Sequence, residues 1–487
     1  MKRWLLILAA LLMLLTACSQ ASVEEPEPTA RYTDEPEPTS AQREAPYTVG
    51  SAYSCIWERE RDRKWEEDIA FFADEYLHPN LGHPLLSDRS TTVRIFNDPV
   101  LRYSTTSLKS FFDEAVRDEF VRLVNELIFD VPYIDDISIS IRLAEIAALL
   151  EDGHSFVRVP VEEAFPLYIV PVAGADGPEW AVDFAPSKYR DILGWRLTAI
   201  NGVPVLDIAD LMRPFVSYEA EPWFLFVAMR YRMLLNCGVL RYIGIMGPER
   251  SAVMTLEGPN GETRELEMLS RAAEAMWHDA AGYHSDSGKA EGDTGTLLME
   301  RYPEKDVWYT LLRGGEALYI RFNTCVVDES TGGIVEDAFD AAENAGKLEK
   351  VIVDFRSNTG GYADLSGNFL PLATALKTSG AEVYVLIDGG SFSAGVGIPA
   401  MLKRRIEGVT LIGTPAGQPT AFFFSGKFEL PNSGIYCQCS STYGDFWPGN
   451  DDLSLMPDVT VERSYEDYIE GVDSVLEYIL DGSVSPQ

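Results

Sequence analysis

Val383-Tyr384-Val385-Leu386-Ile387-Asp388-Gly389-Gly390-Ser391-Phe392-Ser393-Ala394-Gly395-Val396-Gly397-Ile398-Pro399-Ala400-Met401-Leu402 runs from an apolar strand through a Gly/Ser-rich turn into a helix. Five apolar residues in succession suit a strand covered on both faces, as in a parallel sheet. Ser393 stands in the turn. There a helix N-terminus offers unpaired N–H groups and the positive end of its dipole to a developing negative charge. An ordinary strand-to-helix loop draws on the same residue types. The flanking text has to decide between a nucleophile and a plain turn.

Around this stretch, strand and helix patterns alternate. Strand text at 317–322, 351–355, 383–387 and 409–412 is interleaved with helical spacing at 332–346, 364–377 and 394–405. Such alternation predicts a parallel sheet with helical crossovers, and in open α/β sheets the chemistry collects beyond the carboxyl ends of the strands. Two segments fall there: Asp354-Phe355-Arg356-Ser357-Asn358-Thr359-Gly360-Gly361 and the Ser393 turn. The core is assigned to 307–487.

Toward the N-terminus the character changes. Residues 165–275 carry short β-like runs, the segment from Gly194 to Val205, and a hairpin signal at Gly258-Pro259-Asn260-Gly261. Residues 276–306, rich in Gly, Asp and Ser, read as a flexible linker. Region 51–164 is mainly helical, with apolar periodicity at 61–77, 107–129 and 138–151. It ends in Asp152-Gly153-His154-Ser155 and a strand-like 156–159.

The leader sets the compartment. Lys2 and Arg3 precede an apolar run of about a dozen residues and then Leu15-Thr16-Ala17-Cys18, the form of a secretory signal peptide over 1–17. Leu-Thr-Ala-Cys also resembles a bacterial lipobox, which implies cleavage before Cys18 and lipid on its thiol. Residues 18–50 repeat Glu-Pro-Glu-Pro-Thr and have almost nothing to bury, so they read as an extended acidic tether. The expected location is extracytoplasmic, anchored to the bacterial cell membrane.

Formal net charge is −36, from 76 acidic and 40 basic residues, which argues against nucleic acid as a partner. Hydrophobic residues make up 46% of the chain, enough to build a full core. Besides Cys18 there are Cys55, Cys237, Cys325, Cys437 and Cys439, which permit up to two disulfides and a free thiol without assigning pairs. Neither an HExxH motif nor zinc-type Cys/His spacing occurs, so no metal and no cofactor is expected.

A serine nucleophile needs a base, an acid behind the base, and donors for the oxyanion. No histidine follows residue 284, so the Ser-acid-His order of α/β-hydrolases is excluded. Any histidine base comes from upstream. His154, released at a helix C-terminus, is the best placed, although a C-capping histidine would occupy the same position. His78 and His83 flank prolines, and His278 and His284 border the linker; all four suit surface or structural roles.

These residues resemble a known family. Asp354 to Gly361 resembles the D-L-R-x-N-x-G-G loop of the tail-specific (C-terminal processing) serine peptidases. Ser391-Phe392-Ser393-Ala394-Gly395 resembles their nucleophile turn, and Gly413-Thr414-Pro415-Ala416-Gly417 the turn that follows. Asp152-Gly153-His154-Ser155 is similar to their D-x-H-[ST] segment, and Pro457-Asp458-Val459-Thr460-Val461 to a late P-D-x-x-V element. The motifs occur in the family's order across roughly 60–480. The resemblance implies an α/β (α+β multidomain) chain: a crotonase-like parallel-sheet catalytic core, an N-terminal helical region and a degenerate PDZ-like insert over 165–275.

Three departures shape the reading. Ser-Lys members carry a lysine where this chain has Gln418, and glutamine cannot take the serine proton. Similarity is therefore greater to the tricorn-core branch, in which histidine, serine and a late acid cooperate. That implies Ser393 as nucleophile, His154 as base, Asp451 or Asp452 as acid, and the N–H groups of Gly361 and Ala394 as oxyanion donors. Tricorn's serine before the histidine is Gly153 here, and the glutamate after the nucleophile turn is Val396. The expected activity is hydrolysis of peptide or protein substrates through an acyl-enzyme. Two other classes stay open: an inactive binding or scaffold lipoprotein, as the family's retinoid carriers exemplify, and an ordinary solute-binding lipoprotein.

Overall fold

The computed structural model describes residues 49–77, 92–95, 104–107, 114–175, 177–230, 233–272, 297–325, 329–361 and 365–481. The chain divides into two units, Met1–Cys55 and Ile56–Gln487, and all the described residues except 49–55 belong to the second. The leader, Cys18, the acidic tether, His78, His83, His278, His284 and most of the 276–306 linker lie outside the described residues.

Helices α1 (Val49–Leu77), α2 (Glu114–Asp130) and α3 (Asp136–Ala148) form the expected helical region, with strands β1 (Thr92–Ile95) and β2 (Ser104–Ser107) between the first two. Of the helical spacing expected over 107–129, Glu114 onward is helix and Ser107 belongs to β2, while 108–113 lie outside the described residues. Helix α3 starts where Asp135 accepts the N–H of Ser138 at 2.8 Å, a cap worth about 1 kcal/mol. Its Ile139, Leu143 and Ile146 pack in one core with Trp65, Ile69, Phe72, Phe120 and Leu127.

Strands β3 (Phe156–Val157) and β4 (Glu163–Ala164) lead to an antiparallel sheet of β5 (Tyr168–Gly174), β6 (Gly177–Phe184), β7 (Arg196–Ile200), β8 (Val203–Pro204), β9 (Ser251–Glu257) and β10 (Thr263–Leu269). Asn201 and Gly202, at φ 49° and 78°, close the β7–β8 hairpin as the Asn-Gly pair should. The 258–261 signal also forms the hairpin expected of it, pairing Glu257 with Thr263. Between β8 and β9 lie α4 (Val205–Asp210), α5 (Glu221–Leu225) and α6 (Cys237–Tyr242). The two-residue β11 (Arg271–Ala272) returns to pair with β4.

The C-terminal region contains β12 (Val307–Leu312), β13 (Ala317–Phe322), α7 (Glu329–Ala345), β14 (Lys350–Asp354), α8 (Leu365–Ser379), β15 (Glu382–Ile387), α9 (Ala394–Arg405) and β16 (Val409–Gly413). Strand order is β12-β13-β14-β15-β16 with the short strand Val459–Thr460 last, and every pair but β12·β13 is parallel. Alternate residues enter different cores, as the twofold repeat of a strand requires. Leu318, Ile320, Val351, Val353, Val383 and Val385 pack with the apolar sides of α7, α8 and α9. Tyr319, Ile352, Leu386 and Ile412 pack with Val475, Leu476 and Ile479 of a terminal helix, Ser474–Asp481. Covering both faces explains the uninterrupted apolar text; each fully buried Val, Leu or Ile is worth roughly 1.5–3 kcal/mol.

Residues 421–445 form a long hairpin of β17 (Ala421–Glu429) and β18 (Tyr436–Asp445). Strand β18 also pairs with β2 and with β3. Tyr76 of α1 donates its hydroxyl to the Gln438 carbonyl at 2.6 Å. This second sheet joins the N-terminal helical region to the C-terminal core. Cys237, Cys325, Cys437 and Cys439 are all buried free thiols, so none of the disulfides the sequence permits forms among the described residues.

Candidate active site

Ser393 lies just before α9, past the carboxyl end of β15, at φ 56° and ψ −124°. A non-glycine residue with positive φ is strained and persists only where its surroundings over-determine it. Here they do. The Phe392 N–H donates to the Asn358 carbonyl at 2.9 Å, and the Ser393 N–H to Gln418 Oε1 at 3.0 Å. Ser391 donates its hydroxyl to the Phe355 carbonyl at 2.9 Å and accepts the Asp388 N–H at 3.0 Å, so it is a structural serine. The Ser393 hydroxyl caps nothing in α9 and remains half-buried.

The glycine loop is laced to this turn. Ser357 donates its N–H and its hydroxyl to Asp388, at 2.6 and 3.0 Å. Asn358 accepts the Gly360 N–H at 2.8 Å and donates to the Phe322 carbonyl at 2.9 Å. Gly360 sits at φ 95°, where a Cβ would meet the Ser393 Cβ at 2.5 Å and the Ala394 nitrogen at 3.1 Å. Only glycine fits there. The N–H groups of Ala394 and Gly361 have no acceptor among the described residues. Gly361 itself abuts the Cys325 backbone, so of the paired glycines Gly360 is the one that closely approaches the serine.

Beneath the loop is a buried ionic cluster. Asp354 accepts from the Tyr319 hydroxyl at 2.8 Å, Arg321 at 3.1 Å and Arg356 at 2.6 Å, while Arg356 forms a fork with Asp473 at 2.8 Å on each arm. Burial pushes the Asp354 carboxyl upward, but Arg356 and Arg321 together hold it below its ordinary value. The cluster ties the end of β14 to the start of the Ser474–Asp481 helix.

His154 arrives from the helical region, held by β3·β18 pairing and by Ser155, whose hydroxyl donates to Asp152 at 2.7 Å and accepts the Ser440 N–H at 3.0 Å. Its imidazole, 5% exposed with its residue, stacks on Phe392 with centroids 4.4 Å apart and lies parallel to Phe422 at 5.6 Å. Trp223 stacks on Phe392 at 3.8 Å. Neither ring nitrogen has a hydrogen-bond partner among the described residues. Burial pulls the imidazole down to about 4, with the Asp152 carboxylate opposing the shift.

Two carboxyl groups face that ring. Asp152 Oδ1 is 3.9 Å from Nδ1, and Asp152, His154 and Glu219 each offer a ligand-type atom within 4.8 Å of the others. Glu219 accepts the Gly153 N–H at 3.0 Å; burial and then the Asp152 charge push its carboxyl well above the ordinary range. The trio has the composition of a cation site as well as that of a base with acids behind it. Gly153 leaves no room for the serine of the tricorn branch, since a Cβ would stand 2.6 Å from Glu219 and 2.9 Å from Phe392. Asp451 and Asp452 are exposed and make no hydrogen bond to His154. The fold thus sets Gly360 against Ser393 and stacks the His154 ring, with Asp152 beside it, on the neighbouring Phe392, and leaves the two late aspartates on the surface. Glu219 lies in helix-flanking text with no motif, so nothing in the sequence marks it.

No family model matches the chain, and no curated protein matches it either. Solved structures do. Mature CPAF is 13% identical, with TM-score 0.54 over 88% of this chain and 99% of that one. The complex of mature CPAF with lactacystin gives 14% identity and TM-score 0.53 over 86% and 97%. A looser likeness, TM-score 0.35 at 13% identity over 74% and 92%, is to the photosystem II D1 C-terminal processing protease. In fold, the chain is similar to mature CPAF over most of the length of both chains.

Proposed function

We propose that this protein is an extracytoplasmic serine peptidase, anchored through a lipid on Cys18, that hydrolyses peptide or protein substrates by way of an acyl-enzyme. The observation that carries the reading is the strained Ser393 turn: a half-buried hydroxyl before a twelve-residue helix, beside two N–H groups without acceptors among the described residues. Ser393 Oγ attacks the scissile carbonyl, and its proton passes to His154, which burial keeps neutral. The Ala394 and Gly361 N–H groups receive the oxyanion; each such donor is typically worth a factor of ~10²–10³ in rate. Asp152, the carboxylate nearest the ring, stabilises the imidazolium in place of Asp451 or Asp452. His154 passes the serine's proton to the departing amine, leaving the ester. Water then attacks the ester, losing a proton to His154, which returns it to Ser393 Oγ as the carboxyl product departs. The parallel-sheet region is read as the crotonase-like core and the 165–275 sheet as a PDZ-like module that positions substrate.

Labelling with a serine-reactive fluorophosphonate tests this. Wild type should label, and Ser393→Ala and His154→Ala should not. An unlabelled wild type, or equal labelling of Ser393→Ala, would overturn the assignment. One observation favours a second reading, an inactive binding or scaffold protein: His154 has no hydrogen bond to Ser393. Under that reading all three proteins stay unlabelled while folding normally.

A further inference from the structure

Gln418 is completely buried, at 0% exposure, directly behind the reactive serine. Its Oε1 accepts the Ser393 N–H at 3.0 Å. An N–H can only donate, so this bond fixes the sense of the amide: the oxygen meets the Ser393 N–H and the nitrogen is left as a donor. That nitrogen, Nε2, has no partner among the described residues. The side chain cannot retreat to find one, because its backbone is clamped. Leu455 donates its N–H to the Gln418 carbonyl at 3.0 Å, Ala416 donates to the Leu455 carbonyl at 3.0 Å, and Ser454 donates its hydroxyl to the Ala416 carbonyl at 2.5 Å.

A buried donor without an acceptor is rare in a folded protein and calls for a reason. Two demands meet at this position. The φ of Ser393 is unfavourable for any residue with a Cβ, and the Gln418 bond is the one tie on its own N–H. The oxygen and nitrogen of an amide share one carbon, so the free N–H of Gln418 lies beside the bond that Oε1 makes to Ser393.

We propose that Gln418 is a positioning residue of the active site: Oε1 holds Ser393 in its strained conformation, and Nε2 donates a hydrogen bond to an oxygen of the acyl group once substrate is bound. The proposal rests on the peptidase reading of Ser393. It also gives position 418, where Ser-Lys members carry their base, a role that needs no proton transfer.

The test is Gln418→Glu. A protonated glutamic acid reproduces both halves of the amide, a carbonyl acceptor and an O–H donor, whereas the carboxylate cannot donate. Burial favours the protonated form at low pH and loses it as pH rises. Rates of fluorophosphonate labelling are measured from pH 5 to 8 for wild type, Gln418→Glu and the near-isosteric Gln418→Met, with thermal melting at each pH to establish folding. Wild type should vary little. Gln418→Glu should stay within ~3-fold of wild type at pH 5 and fall ~10-fold or more by pH 8, and folded Gln418→Met should be ~10–100-fold slow throughout. A Gln418→Glu profile parallel to that of wild type, or Gln418→Met at the wild-type rate, overturns the inference and leaves the peptidase reading standing. An unlabelled wild type overturns both.

Discussion

The imidazole of His154 lies on the ring of Phe392, centroids 4.4 Å apart and planes 28° apart, so the side chain next to Ser393 is the surface that holds this histidine. Trp223 covers the other contact of Phe392 at 3.8 Å, with an interplanar angle of 11°. One ring therefore joins three distant segments. Phe392→Ala should cost about 3–5 kcal/mol of stability and should lower Ser393 labelling beyond what the residual folded fraction explains. Urea midpoints and labelling of the folded protein measure the two effects separately.

The pH response of the base follows from its burial. His154 is pulled to about 4 from an ordinary 6.5, so it is neutral throughout pH 5–8, the form that the proposed base requires. Labelling should be flat across that range and fall only as pH approaches 4. A decline centred at pH 6–7 would mean that the ring is solvated in solution.

Stability should respond in the same region. Between pH 6.5 and about 4 the unfolded chain binds a proton at His154 that the folded chain refuses, so stability is complete above 6.5 and is lost as pH falls toward 4. The full loss is on the order of 3 kcal/mol. Glu219, held protonated in the fold, acts in the opposite sense and loses its contribution as pH rises above the ordinary carboxyl value. Comparing wild type with His154→Phe by urea unfolding at pH 7.5 and 5 isolates the histidine: the variant should lose less on acidification.

The acid behind the base can be identified by substitution. Asp152→Asn should slow labelling by ~10-fold or more, because Asp152 is the carboxylate closest to the ring. Asp451→Asn and Asp452→Asn should leave the rate within ~2-fold, since surface changes distant from such features are nearly neutral. The reverse pattern would restore the acid implied by the family resemblance.

Gly153→Ser restores the residue of the tricorn branch, yet it should impair rather than improve the site. The added Cβ enters space held by Glu219 and Phe392. Lower labelling and a lower melting temperature are expected together.

Much of the core was legible from residues 317–413. Each strand there is an apolar run broken by Gly/Ser turns, and each helix has its own spacing, so local pattern and tertiary role agree. The 394–405 helix matches its observed bounds, and the strands shift by a residue at most. The partners of the 421–445 hairpin are a matter of tertiary pairing, since β18 bonds β17 on one edge and β2 and β3 on the other. The acid escaped. Asp152 reads as part of a helix-ending turn and Glu219 as ordinary loop text; only contact makes them neighbours of His154.

By itself, then, the sequence determined the parallel core and the serine turn at its carboxyl edge, because these depend on short-range periodicity and on chain order. The tertiary structure alone decided how His154 is held, which carboxylates lie beside it, and that Gln418 grips the serine backbone. Those relations join residues 25 to more than 280 positions apart, and only packing and buried hydrogen bonds, not local propensity, specify them.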